Sequence, residues 1–162
     1  LKPAFDKDGV VTAATSSPLT DGAAAVIVCS EDYANKNSLE ILAYIRGMAI
    51  SGCSPEIMGI GPVLSSQKAL KRAGIKLEDV DIIEMNEAFA AQSLACVKEL
   101  GVEMSKLNIH GGAISMGHPL GASGARITGK AASLLKETGK RYALSTMCVG
   151  GGQGCATVLE RA

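Results

Sequence analysis

The 162 residues carry 16 basic and 16 acidic side chains, so the chain lacks the one-sided charge that a nucleic-acid backbone or an anionic membrane surface would select. Apolar residues make up 47% and aromatics 3%, with no Trp, which suits helices packed closely on a sheet and not an aromatic recognition surface. Five cysteines without C-x-x-C spacing argue against a disulfide framework and a zinc site; a reducing compartment is expected, the cytoplasm or, in a eukaryote, an organellar matrix.

Along the chain, residues 1–22 are rich in Gly, Ser, Thr and Pro and predict irregular structure. Leu1 is not Met, so any targeting segment is expected upstream. Residues 23–29 are apolar throughout and predict a strand buried on both faces. The run is far short of the roughly 20 residues that span a bilayer. Residues 30–37 predict a short polar helix, and 41–50 a second strand closed by Ser51 and Gly52. Ser65 and Ser66 are candidate N-caps for a helix reaching Ala73, with Gly74 as its left-handed stop. A third strand at 80–85 runs into Asn86-Glu87-Ala88-Phe89, from which a helix continues to Leu100 with Gly101 behind it. After a brief apolar stretch at 107–109 and a Gly-rich segment, a helix from Ser123 to about Glu137 carries Ile127, Ala131, Leu134 and Leu135 on one stripe. Residues 142–149 and 155–159 predict two strands joined as a hairpin by the Gly-rich link between them. Strands alternating with helices, then an antiparallel pair, predict a mixed α/β sheet.

Three segments place a reactive side chain beside glycine or a helix start: Asn86 in N-E-A-F, His118 in G-H-P-L-G-A-S-G, and Cys148 in C-V-G-G-G-Q-G. Each sits at an element boundary, and the carboxyl ends of strands are where α/β sheets meet ligands. Each also has a plain structural reading: Asn86 as a helix N-cap, His118 as an ordinary hydrogen-bonded histidine, Cys148 as a small buried apolar residue. The glycines weigh against the plain readings of the last two. Those around His118 leave space for a ligand, and those after Cys148 expose backbone N–H groups fit for an oxyanion. Two other motifs fail. In G-A-R-I-T-G-K at 124–130 the next residue is Ala131, where a phosphate loop needs a hydroxyl, and the glycines at 150–154 lead into a strand and lack dinucleotide spacing. His110 has no carboxylate or cysteine cluster to complete a metal site and is read as structural.

N-E-A-F-A-A-Q at 86–92, N-I-H-G-G-A-I-S-M-G-H-P-L-G-A-S-G-A-R at 108–126 and C-V-G-G-G-Q-G at 148–154 closely resemble the thiolase family in order and spacing. F-D-K-D-G-V-V-T at 5–12 and S-P-L-T-D-G-A at 17–23 extend the resemblance over the whole chain. It implies a thiolase-like α/β fold: a mixed sheet with helices on both faces, the second half of a layered αβαβα architecture. Residues 1–38 would be the tail of the amino-terminal domain and 39–162 the carboxy-terminal domain. It implies chemistry as well, thiolytic cleavage of a 3-ketoacyl-CoA or the reverse condensation of acetyl-CoA, with coenzyme A as substrate and no cofactor.

By the same resemblance His118 matches the histidine that activates the nucleophilic thiol and polarises the thioester oxygen, and Asn86 holds a water in that oxyanion site. Cys148 matches the cysteine that exchanges the α-proton, and the N–H of Gly150 a donor of the second oxyanion hole. Ser17, Leu19, Met58, Ala88 and Phe89 match walls of the pantetheine tunnel. The family's acylated cysteine lies in a C-x-S-G context that none of the five cysteines here has. The nucleophile is therefore expected from a missing amino-terminal half, and this chain alone is expected to be inactive. The expected partners are acyl-CoA, coenzyme A, that half, and further copies in a homodimer or homotetramer, with neither nucleic acid nor membrane. Another condensing enzyme of the same superfamily, or a non-catalytic CoA-binding or dimerisation module, are the alternatives.

Overall fold

The structure, a computed structural model, describes all residues 1–162. Four strands form one sheet: β1 (Ala43–Gly52), β2 (Ile82–Met85), β3 (Tyr142–Val149) and β4 (Gln153–Arg161), in the order β1-β4-β3-β2. The β3–β4 hairpin and the β4–β1 pair are antiparallel, whereas β2 runs parallel to β3. The expected mixed sheet is thus present, with its parallel pair at the end that carries Asn86.

The helices follow in chain order: α1 (Glu31–Lys36), α2 (Gly61–Ala73), α3 (Ala90–Leu100), α4 (Ala113–Met116) and α5 (Ser123–Thr138). Alternation along the strands divides the core in two. Ile83, Leu144 and Val158 point to one face, where they pack with Ala69 and Leu70 of α2 and Cys96 of α3. Ile82, Ala143 and Leu159 point to the other, against Ala131, Leu134 and Leu135 of α5. Helices therefore cover both faces, and the stripe foreseen on α5 is the one that is buried. No helix is long and apolar enough to cross a membrane.

Three expectations need correction. Residues 23–29 form no strand: they make no backbone hydrogen bond, and Ile27 and Val28 are largely exposed. An extended apolar segment becomes a strand only beside another strand, and within these residues none lies next to it. Helix α2 begins at Gly61, four residues ahead of the serines proposed as its caps. Pro62 supplies the pre-set φ of a first turn, and Ser65, inside the helix, donates back to Gly61 O at 3.2 Å. Asn86 does not cap α3, whose N-cap position is Phe89.

Candidate active site

Asn86 follows the last residue of β2, and its N–H donates to Thr146 O of β3 at 2.9 Å. Cys148 stands two residues further along β3, so both residues lie toward the carboxyl end of the same parallel pair. His118 arrives from the other direction. Gly117, at φ +102°, ends α4 and turns the chain. The His118 N–H then reaches Thr20 Oγ1 at 3.2 Å and Pro18 O at 3.4 Å. Across this corner Asn86 Nδ2 meets His118 Nε2 at 3.4 Å. The amide has left the helix start and faces the imidazole.

On its far side His118 Nδ1 lies 2.6 Å from Ser123 Oγ, which in turn donates to Pro119 O at 3.2 Å. One order uses each of these protons once: Asn86 N–H to Nε2, Nδ1–H to Ser123 Oγ, and Ser123 O–H to Pro119 O. Nε2 is then the ring's unprotonated nitrogen, its one lone pair turned to the Asn86 amide across a long 3.4 Å contact. Rotating the serine hydroxyl onto Nδ1 moves the ring proton to Nε2 instead, and the Asn86 amide then has to turn its unpartnered Oδ1 toward the ring or release it. Burial, and after it the positive charge of Arg126, hold His118 below its ordinary pKa, so it is neutral at pH 7.

Cys148 is buried, and desolvation, followed by the neighbouring thiols of Cys96 and Cys53, pushes its pKa up to about 11. It stands as a thiol holding its proton. Gly150 lies just beyond in an open turn, where a side chain would meet nothing, so its backbone is unobstructed. Gly152 in the same turn has φ +86° and accepts from Cys53 N–H at 2.7 Å; a Cβ there would strike the Cys53 carbonyl. Below the corner, Glu84 is fully buried with Lys130 Nζ at 3.1 Å from Oε1, a cross-link between β2 and α5. Desolvation raises the Glu84 pKa in spite of Lys130.

The residues expected to line a tunnel are less uniformly placed. Ser17 bonds Ala88 O through its N–H at 3.0 Å and its hydroxyl at 3.2 Å, and Ser16 bridges to Phe89. Phe5 meets the Phe89 ring edge-on at 5.9 Å. Ser17, Ala88 and Phe89 therefore share one surface. Met58 is half-buried in the turn Pro55–Ile60, tied to α3 where Cys96 Sγ donates to Gly59 O at 3.3 Å. Leu19 bridges to His118 through its backbone, but its side chain is 93% exposed and lines nothing. A cavity of about 860 Å³ lies elsewhere, between residues 24–31, β1 and α5, and none of these five residues touches it. His110 is exposed, and no group of three potential metal ligands exists. Ser123 and Thr20 escaped the sequence reading; the helix-start position of Ser123, five residues after a histidine, was the available signal for the first.

Comparison with known proteins completes the description. Residues 39–161 match the family model described as the thiolase C-terminal domain, and residues 1–32 that of the thiolase N-terminal domain. A 3-ketoacyl-CoA thiolase of Vibrio parahaemolyticus is 57% identical over 99% of this chain and 42% of its own length. One from Yersinia enterocolitica is 56% identical over 99% and 43%. Among solved structures, human mitochondrial 3-ketoacyl-CoA thiolase, also solved in complex with CoA, superposes at TM-score 0.97 with 50% identity, covering 100% of this chain and 41% of that one. The Bacillus anthracis acetyl-CoA acetyltransferase superposes at 0.97 with 46% identity over the same shares. The chain therefore spans about two fifths of the length of the relatives it matches.

Proposed function

The chain belongs to the thiolase family, and from that premise we propose that it supplies the acid–base and oxyanion side of an active site that cleaves or forms the carbon–carbon bond of a 3-ketoacyl-CoA. The observation that carries this is the Asn86–His118 contact at the carboxyl end of β2, with Cys148 on the adjoining strand. His118, neutral with one unprotonated ring nitrogen, takes the proton of the attacking thiol and in its other tautomer donates to the thioester oxygen. Asn86 holds a water at the same oxygen. The Gly150 N–H donates to the second oxyanion, and Cys148 exchanges the α-proton. A thiol with a raised pKa is loaded as an acid, which suits protonation of the acetyl-CoA enolate released by carbon–carbon cleavage, before coenzyme A takes the acyl group from the nucleophile.

On this reading coenzyme A and acyl-CoA are the substrates, no further cofactor takes part, and Ser17, Met58, Ala88 and Phe89 border the pantetheine arm, with Leu19 joining them only when covered. The nucleophilic cysteine comes from polypeptide outside these 162 residues, and the complete enzyme works in the cytoplasm as a homodimer or homotetramer. The test is cleavage of acetoacetyl-CoA by this chain alone and after mixing with the amino-terminal part of a close 3-ketoacyl-CoA thiolase. Turnover is expected only in the mixture, and there His118→Ala and Cys148→Ala should each abolish it. An ordinary rate from the chain alone, on the order of 1–1,000 per second, would show that it contains its own nucleophile.

A further inference from the structure

The Asn86–His118 contact is long at 3.4 Å, and Asn86 Oδ1 has no partner, although the residue is fully buried. Such a contact cannot fix its own geometry. The aim of the amide has to come from the backbone that carries it, and one side chain grips that backbone on both sides. Asn108 Oδ1 accepts from Met85 N–H at 2.9 Å while its Nδ2 donates to Met85 O at 2.9 Å. The amide thereby replaces a neighbouring strand on the open edge of β2. The second Nδ2 hydrogen goes to Glu87 Oε1 at 2.7 Å. Residues 85 and 87 are thus held by one group, and residue 86 lies between them.

The same group governs the approach to His118. Glu87 Oε2 accepts from Ile114 N–H at 3.0 Å, in the first turn of α4, and α4 ends at Gly117, the residue before His118. Gly112 permits the approach, because a Cβ there would overlap the Glu87 carboxylate. Asn108 itself is 8% exposed and sits at φ +45°, one of two residues other than glycine with positive φ in the chain. Asn tolerates that conformation better than most side chains, and here it buys a side chain with all its hydrogen-bonding groups used.

We propose that Asn108 and Glu87 act as positioning residues for acyl transfer, clamping residues 85, 87 and 114 so that the Asn86 amide and the His118 ring meet in one arrangement. This rests on the functional reading above, and its test needs no turnover. The chain has two histidines, so ¹⁵N-labelled imidazoles report His118 against the exposed His110. The parent chain should show His118 as one neutral tautomer, protonated at Nδ1, titrating below the usual range of about 6.5. Asn108→Gly suits the positive φ and removes all three side-chain bonds without adding charge. It should populate both tautomers and move the His118 midpoint up toward the usual range. Glu87→Gln sets an NH2 group against Ile114 N–H and should produce a smaller change of the same sign, which preserves the test if Asn108→Gly does not fold.

Leu70→Ala, in the core beneath α2, serves as a control for loss of stability alone. It should lower the melting temperature and leave the His118 resonances where they are. His118 unchanged in both clamp variants, or displaced as much by Leu70→Ala, would overturn the proposal. A clamp that behaves as stated in a chain that never supports thiolysis would sink the functional reading and leave the clamp standing.

Discussion

Two runs that the sequence marks as strands meet different fates in this molecule. Residues 142–149 become β3, with Ala143 and Leu144 fully buried between α5 on one face and α2 on the other. Residues 23–29 consist wholly of Ala, Val, Ile and Cys and are the more apolar run, yet they lie without hydrogen-bonded partners, and Ile27 is 82% exposed. A strand is a property of a pair of segments, since composition gives only a readiness to extend and be covered. The leading segment shows this within itself. Just before the unpaired run, Leu19 and Thr20 dock on His118, because there the chain offers backbone and hydroxyl partners.

The sharpest way to break the comparison is to delete the same kind of side chain from each run. Leu144→Ala removes a side chain with no exposure and no room to collapse, and should cost about 2–5 kcal/mol. Ile27→Ala in the exposed run should stay within about 0.5 kcal/mol. Urea unfolding of both variants decides it. An Ile27→Ala cost approaching that of Leu144→Ala would mean that residues 23–29 are covered in solution, by a second copy or by their own rearrangement.

The cysteines divide the same way and give a smaller, pH-dependent effect. Cys29 sits exposed in the unpaired run and Cys148 lies buried in the sheet. A thiol raised to about 11 by folding keeps its proton while the unfolded chain, near about 8.5, has lost it. The stability this thiol contributes is therefore fully present below about pH 8.5 and is lost as pH rises toward 11. The loss is on the order of 1–3 kcal/mol. Cys148→Ala should flatten that alkaline decline, and Cys29→Ala should leave it alone. Melting temperatures from pH 7 to 11 measure both; an unchanged slope in Cys148→Ala would mean its thiol ionises as freely as one in solvent.

How far the sequence could be read follows from the same contrast. Periodicity identified α5 and its buried stripe, and the αL glycines Gly74 and Gly101 marked true helix ends, because those signals are local. The start of α2 was misjudged where two serines competed with a proline that sets φ before any cap is needed. At the site, Asn86 and His118 were legible as a pair only through the long motifs that contain them, since nothing in the 31 intervening residues says that they touch. Ser123, Thr20 and the Asn108–Glu87 pair were not legible as supports. Each acts through a hydrogen bond between segments whose closeness is a product of the fold, and a single sequence carries no record of that.

The smallest expected effect tests whether the leading segment is fixed only where it meets His118. Thr20 Oγ1 accepts from the His118 N–H at 3.2 Å and donates to Pro18 O at 2.8 Å, so it closes a turn and anchors the histidine at once. Thr20→Val keeps the β-branch and nearly the volume and removes both bonds. A neutral hydrogen bond contributes about 1 kcal/mol net, and Thr20 is half-exposed, so water can replace part of what is lost. The cost to global unfolding should be at most about 1 kcal/mol. Its signature should be local: the Ser17 and His118 amides, the hydrogen-bonded N–H groups at this anchor, should exchange faster, while β3 amides stay as protected as in the parent. Residues 23–29 should exchange freely in both proteins, having no partners to lose. If Thr20→Val instead speeds exchange through 23–29, then those residues draw their order from the His118 anchor, and the two parts of the leading segment are one unit.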